Sequence, residues 1–271
     1  MLIDTHCHLA EFVRRGDFPA VLDRAAAAGV PRVITIGTSA EDWSLYADLA
    51  AAHAGRVDYT VGLHPCDIGE GEDWHAQVAQ IPQFFQRAAA DGPHPVALGE
   101  IGLDRFHLPK DPATAAVVFA RQEAAFRAQL AQAREFDCPI VIHSRDTFAD
   151  CVRLIDESGV DWTRVVFHCF AHGPEEIRIL RARGGRGSFT GILTYKNAAS
   201  VRDALVAQGA EVLLLETDAP YLAPAPHRGQ PNEPAYVAHT AREAARLLNL
   251  TFEQLAEKTT ANAREFFRLK H

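Results

Sequence analysis

The sequence predicts a (β/α)8 barrel, and three observations carry that prediction. Eight short apolar runs alternate with longer helical stretches from one end of the 271 residues to the other. Runs such as Val165-Val166-Phe167 and Val212-Leu213-Leu214-Leu215 are apolar on both faces, as parallel strands covered by helices must be. A hydrophobic share of 48%, with no linker or low-complexity tract, is enough to bury a large core, and α/β barrels of this length run as one domain. The expected organisation is therefore a single domain over 1–271.

Taken in order, the strand candidates are residues 2–4, 32–37, 58–64, 96–103, 139–143, 164–168, 187–191 and 211–217. Ala-, Leu- and Arg-rich segments with helical apolar spacing lie between them. The longest predicted helix covers 112–136, with Phe119, Phe126, Leu130 and Ala133 marking one face. Helix starts carry local signals. Ser39 precedes Glu41 and Asp42, and Pro174 precedes Glu175 and Glu176. Residues 234–269 hold two further helical segments, the second opening at Thr251 with Glu253 and Gln254 behind it. The longest loop is the proline-rich stretch 219–233.

Charge and cysteine usage exclude several classes. Lys and Arg total 27 against 35 Asp and Glu, a formal net charge of -8, which is not the basic footprint of a protein that coats duplex nucleic acid. An enzyme acting on a strand end stays open, because bound metal ions supply positive charge locally. No secretory leader and no membrane span is expected. Five scattered cysteines without a Cys-x-x-Cys pair suit a reduced, cytoplasmic protein, with Cys7 and Cys169 expected to face the core from their strands.

The chemistry lies where the apolar runs end. His6 and His8 are two apart after Leu2-Ile3, so on a strand both imidazoles face one side and can reach one ion. Later runs end in His64, in Glu100 and Asp104, in His143, in His168, and in Glu216 and Asp218. In a (β/α)8 barrel the active site forms at those carboxyl ends. Two divalent ions about 3.5–4 Å apart would use these residues economically. His6, His8 and Asp218 suit a first ion, and His143 and His168 a second. Glu100, flanked by glycines that permit close approach, is the carboxylate to bridge them. Asp218 could also accept a proton from the attacking water.

The motifs carrying these residues resemble the TatD family of metal-dependent deoxyribonucleases, within the amidohydrolase-like barrels. The matching pieces are Asp4-Thr-His-Cys-His8, Gly62-Leu-His-Pro65, Gly99-Glu-Ile-Gly-Leu-Asp104, Ile142-His-Ser-Arg-Asp146 and His168-Cys-Phe170. Ser188-Phe-Thr-Gly191, Glu216-Thr-Asp-Ala-Pro220, Asn232-Glu-Pro-Ala-Tyr236 and Thr260-Ala-Asn-Ala-Arg264 follow, so the likeness runs in order over nearly the whole chain. It implies a two-metal hydrolase with His6, His8, Glu100, His143, His168 and Asp218 as ligands. It also implies cleavage of DNA phosphodiesters, 3′ to 5′ from a single-stranded end, by a metal-bound hydroxide. Two departures are Ala171-His172-Gly173 after His-Cys-Phe, where the family continues with Ser-Gly, and Arg105 where it tends to place an aromatic residue. Both lie on loops and bear on substrate preference.

Other residues carry two readings each. His64 either contacts the scissile phosphate or its leaving oxygen, or stabilises the turn at Pro65. Glu216, on the same face as Asp218, either orients a metal ligand or contacts substrate directly. Arg145, Lys196 and Arg228 either grip phosphate oxygens or pair with local acids. Asp146 reads as a helix cap. His53, His75, His94, His107 and His271 are expected to face solvent without partners, whereas His172 and His227 belong to loops near the site. Rival functions are hydrolysis of a small amide, lactone or phosphoester, and a non-catalytic binding or quality-control role. The metals expected are Mg, Mn or Zn, with DNA as partner and neither a membrane nor an obligate protein partner.

Overall fold

The computed structural model describes residues 1–69, 71 and 73–270; the expectation for His271 falls outside them. In chain order the elements begin with β1 (Ile3–Cys7), α1 (Ala10–Arg15), α2 (Phe18–Ala27), β2 (Arg32–Thr35), α3 (Ala40–Ala52) and β3 (Val57–Val61). There follow α4 (Trp74–Val78), α5 (Ile81–Phe85), β4 (Ala97–Asp104), α6 (Pro112–Phe136), β5 (Ile140–Arg145), α7 (Phe148–Ser158) and β6 (Val165–Phe167). The chain ends with α8 (Pro174–Arg183), β7 (Arg186–Phe189), α9 (Ala199–Gln208), β8 (Leu214–Leu215), α10 (Val237–Leu247) and α11 (Phe252–Phe266). The eight strands follow one another in chain order in one sheet, the topology of a (β/α)8 barrel.

Each predicted run overlaps a strand, yet four strands stop short of their polar ends, β1 by one residue, since it ends at Cys7 before His8. β3 ends at Val61, and His64 opens a 3-10 turn over Pro65–Asp67. β6 ends at Phe167, before His168. β8 keeps only Leu214–Leu215, because Ala210–Val212 winds into another 3-10 turn.

The chain packs as two compact units, one of Met1–Thr35, His53–Asp58 and His168–His271, the other of Ile36–Ala52 and Tyr59–Phe167. In the first, β1 pairs in parallel with β2, and β7 with β8. A parallel bridge between Cys7 and Ala219 sets β1 beside the segment leaving β8. Asp4, wholly buried at the start of this seam, accepts from Thr217 N at 2.8 Å and Thr217 Oγ1 at 2.6 Å. Asn232, also buried, donates to the carbonyls of Thr217 (2.9 Å) and Tyr221 (2.6 Å), which ties down the predicted 219–233 loop. Of the helix signals, Glu176 returns to Gly173 N at 3.0 Å, and Thr251 and Gln254 form a reciprocal capping box.

In the second unit β4 pairs with β3 on one side and β5 on the other, and β5 with β6. The bounds of α6 are those predicted. Asp111 caps it by accepting from Thr114 N at 2.9 Å, and Pro112 occupies its first turn. Its buried stripe is Val118, Gln122, Ala125, Phe126, Gln129, Leu130 and Ala133, with Phe119 half-buried beside it. The two glutamines are backbone clamps. Gln129 brackets Leu63, accepting from its N at 2.8 Å and donating to its O at 3.2 Å. Gln122 accepts from Asp104 N at 3.0 Å and donates to Pro65 O at 3.2 Å. The glycines beside Glu100 serve backbone approach. Gly102 has φ of +146° and any Cβ there would strike the His143 carbonyl, while a Cβ on Gly99 would sit 2.6 Å from that of Val141.

Candidate metal centre

In the first unit the seam between β1 and the exit of β8 builds one cluster. Asp218 N donates to His6 O at 2.9 Å and His8 N to Ala219 O at 2.8 Å, so the backbone ladder sets all three side chains on one side. The Nε2 atoms of His6 and His8 are 3.3 Å apart, and they stand 3.6 and 3.4 Å from Asp218 Oδ1. His168 stacks on His6, with ring centroids 4.1 Å apart and planes 11° from parallel. Asp218 holds left-handed backbone, φ +57°, which aspartate tolerates better than most residues.

Two imidazole nitrogens and a carboxylate oxygen facing one another at 3.3–3.6 Å have the spacing of ligands on one small cation. Tetrahedral ligands at bonds of about 2.0–2.1 Å lie roughly 3.3–3.4 Å apart. The donor set therefore fits a divalent ion. Burial alone would raise the Asp218 carboxyl pKa, but His8, His6 and His168 together hold it below the usual range. Asp4, in the same seam without an imidazole, goes the other way: burial pushes it up to about 8. Glu216 is buried and its oxygens serve the protein. Oε1 accepts from Cys169 N at 2.6 Å and lies 3.5 Å from His168 Nδ1, while Oε2 accepts from Ser188 Oγ at 2.5 Å. The proposed ligand it faces is His168. Cys169 follows β6 in left-handed backbone, φ +44°, and is half-buried, not a core-facing strand residue as expected.

The second unit builds another cluster. Glu100 Oε1 meets His143 Nδ1 at 2.8 Å and His64 Nε2 at 3.3 Å. The turn reading of His64 has a bond behind it, since its Nδ1 accepts from Cys66 N at 3.1 Å and steadies the Pro65 turn. The remaining nitrogen of His143, Nε2, faces Asp104 Oδ2 at 2.9 Å. Asp104 was placed at a strand end by the sequence but not among the ligands. The periodicity that put Glu100 on the functional side also puts Asp104 there, four residues on. Burial works to raise the Asp104 carboxyl pKa, yet hydrogen bonds from His143 and His107 hold it well below the usual range.

The basic residues lie over aromatic rings: Arg145 over Phe106 at 3.9 Å and Arg228 over Tyr195 at 3.8 Å. Lys196 is exposed. Arg105 is bonded to Asp150 at 2.8 Å and lies over Phe119. Asp146 does not cap α7, whose N-cap residue is Thr147. Of the histidines expected to lack partners, His94 is exposed, while His75 stacks on Trp74 and His53 meets Phe18 edge-on. His107 corrects that expectation outright, with Nδ1 2.8 Å from Asp104 Oδ2. His227 stacks on Tyr236 and His172 packs on Phe170.

Comparison with known proteins gives this geometry a context. The family model described as TatD related DNase matches residues 3–268. A relative named as an uncharacterized metal-dependent hydrolase, YabD of Bacillus subtilis, is 33% identical over 99% of this chain and 100% of its own length. A protein of a Rahnella species named 3′-5′ ssDNA/RNA exonuclease TatD is 34% identical, covering 92% of this chain and 91% of its own. Among solved structures, YjjV, a TatD homologue from Escherichia coli, superposes with a TM-score of 0.87 at 30% identity, covering 99% of this chain and 98% of that one.

Proposed function

The chain belongs to the family of TatD-related DNases, which makes it a metal-dependent hydrolase, and from that premise we propose that it is a 3′-5′ exonuclease acting on single-stranded DNA ends. The observation that carries the reading is the donor set, intact in a chain 34% identical to a relative named for that activity. His6, His8, His168 and Asp218 form one cluster, and Glu100 and His143 belong to the other. These six are the proposed ligands of two divalent ions of the Mg, Mn or Zn class. When bound, such ions lower the pKa of water and neutralise charge on phosphoryl oxygens.

The chain's own residues do the rest. Asp218, held ionised by its imidazoles, accepts the proton of the attacking water as the in-line displacement begins. His64 has one nitrogen committed to the Pro65 turn and turns the other toward Glu100, where it meets the leaving oxygen. Glu216 keeps His168 in place through the contact at its Nδ1. Arg145, Lys196 and Arg228 hold phosphates along the strand, the two arginines presenting planar forks beside aromatic rings on which bases can stack. The reading takes 1–271 as one functional domain. It also places the protein in the cytoplasm, supported by five cysteines that form no disulfide among the described residues. No helix among the described residues is long and apolar enough to cross a membrane.

The test is digestion of end-labelled single-stranded and duplex DNA by protein loaded in turn with Mg, Mn and Zn. Single strands should shorten from the 3′ end, chelator should stop the reaction, and rising salt should weaken it as phosphate contacts are lost. Arg145→Ala and Arg228→Ala should raise KM for DNA more than they lower kcat. If the wild-type protein hydrolyses a lactone or small phosphoester with every metal and leaves DNA intact, the nuclease reading is wrong.

A further inference from the structure

A third group of donors stands in the second unit, and nothing in the proposed reaction uses it as a site. Cys66 Sγ lies 3.5 Å from Asp104 Oδ2 and 3.6 Å from His107 Nδ1, and that nitrogen is 2.8 Å from the same Asp104 oxygen. Cys66 lies in the turn after β3, Asp104 ends β4 and His107 follows it, and one side chain holds the two segments together. Gln122 donates to Pro65 O, next to Cys66, and accepts from Asp104 N, while Asp104 Oδ1 accepts from His107 N at 2.8 Å. Asp104 is fully buried, whereas Cys66 and His107 are exposed. Cys66 and His107 line a cavity of about 260 Å³ with Ile68, Pro109 and Thr114.

We propose that Cys66, Asp104 and His107 form a further metal site, separate from the hydrolytic ligands, that takes a thiophilic divalent ion of the zinc class. Sulfur, imidazole and carboxylate are the donor types such an ion accepts. Bonds of about 2.0–2.3 Å put tetrahedral ligands roughly 3.3–3.8 Å apart. Two of the three edges already have that length, and the third, between His107 and Asp104, must open by roughly 0.5 Å to reach it. His107 is half exposed on its loop and can give that much. The fourth position opens to the cavity and takes water or a small ligand. On binding, the thiol gives its proton to water and its sulfur becomes a ligand, and His107 coordinates through Nδ1 with its proton moved to Nε2.

The competing reading, a nucleophilic cysteine with a histidine base and an orienting carboxylate, fails on connectivity. Such an arrangement uses both imidazole nitrogens, one for each partner, whereas Cys66 and Asp104 meet the same nitrogen of His107. Occupancy would be felt further in, because Asp104 Oδ2 also faces Nε2 of His143.

Cobalt(II) titration tests the site without reference to catalysis. None of the six proposed hydrolytic ligands is a cysteine, so a sulfur-to-cobalt charge-transfer band in the near ultraviolet reports a thiolate ligand alone. The wild-type chain should develop that band and lose it on addition of zinc. Cys66→Ser should abolish the band and lower bound metal by one ion per chain, His107→Ala should shift its appearance to higher cobalt, and Cys169→Ser should leave it unchanged. Thermal melting in chelator shows that each variant is folded. Absence of the band in the wild-type chain at saturating cobalt, or its survival in Cys66→Ser, overturns the proposal whether or not the protein cleaves DNA.

Discussion

Glu216 offers a graded test of how the first cluster is supported. Its two oxygens accept from Cys169 N and Ser188 Oγ, and Oε1 faces His168 Nδ1. In Glu216→Gln the amide has one workable orientation. Its oxygen must stay on Cys169 N, because a backbone N–H cannot reverse its role, and its NH2 then faces Ser188, whose hydroxyl can turn and accept. Both hydrogen bonds to a carboxylate are exchanged for neutral ones, a loss of about 1–3 kcal/mol. Glu216→Ala loses both bonds, and the freed donors, at about 1–3 kcal/mol each, bring the cost to about 3–5 kcal/mol with the vacated volume. Urea unfolding of the metal-free protein measures these differences. Calorimetric titration with zinc measures the consequence for His168: weakening of roughly 10–100-fold in Glu216→Ala, the range for losing a partner of a ligand, and a smaller change in Glu216→Gln. If Glu216→Ala binds zinc as tightly as wild type and unfolds at the same urea concentration, Glu216 supports nothing.

Three further outcomes are expected. Glu100→Ala should abolish turnover and lower bound manganese, read by calorimetry, while leaving the fold intact; unchanged stoichiometry would remove Glu100 from the ligand set. Tyr59 is buried, donates to Pro93 O at 2.9 Å and has its pKa pushed up by burial from 10.0 to about 12. Because the folded chain keeps this proton to higher pH than the unfolded one, the associated stability is complete below pH 10 and is lost as pH rises to about 12. Tyr59→Phe should flatten that part of the stability–pH curve. Thr251→Ala removes half of the α11 capping box and should cost about 1 kcal/mol in thermal or urea unfolding, with metal binding unchanged.

Much of this site was legible because a parallel strand covered on both faces has no other reason to end in histidine or acid. That argument picks out His6, His8, Glu100, His143, His168 and Asp218 as candidate ligands, and helical apolar spacing bounds α6 at both ends. It over-extended β6 and β8, since the ligand-bearing residues follow the strands in irregular backbone, as the positive φ of Cys169 and Asp218 shows. The roles of Gln122 and Gln129 were invisible, because a glutamine on an apolar helix stripe looks like a blemish in the pattern until its carbonyl and amide partners are known. The Cys66, Asp104 and His107 group had no spacing signal either, as Cys66 and Asp104 are 38 positions apart. His107 read as a solvent-facing residue because exposure and a polar loop say nothing about a buried neighbour three residues earlier.

The seam that joins β1 to the exit of β8 also dictates an order of assembly. Asp4 and Thr217 are 213 positions apart, so the first imidazoles emerge from the ribosome long before the carboxylate that completes their cluster. His64, Glu100 and His143 are all present once β5 has been made, and the helix that clamps their loops has by then been synthesised. A nascent chain can therefore hold one half of the chemistry early, while His6 and His8 wait beside an open edge for the last strand. A chain halted before Asp218 would carry the cluster's three imidazoles and lack its acid, which makes loss of function by premature termination abrupt instead of gradual.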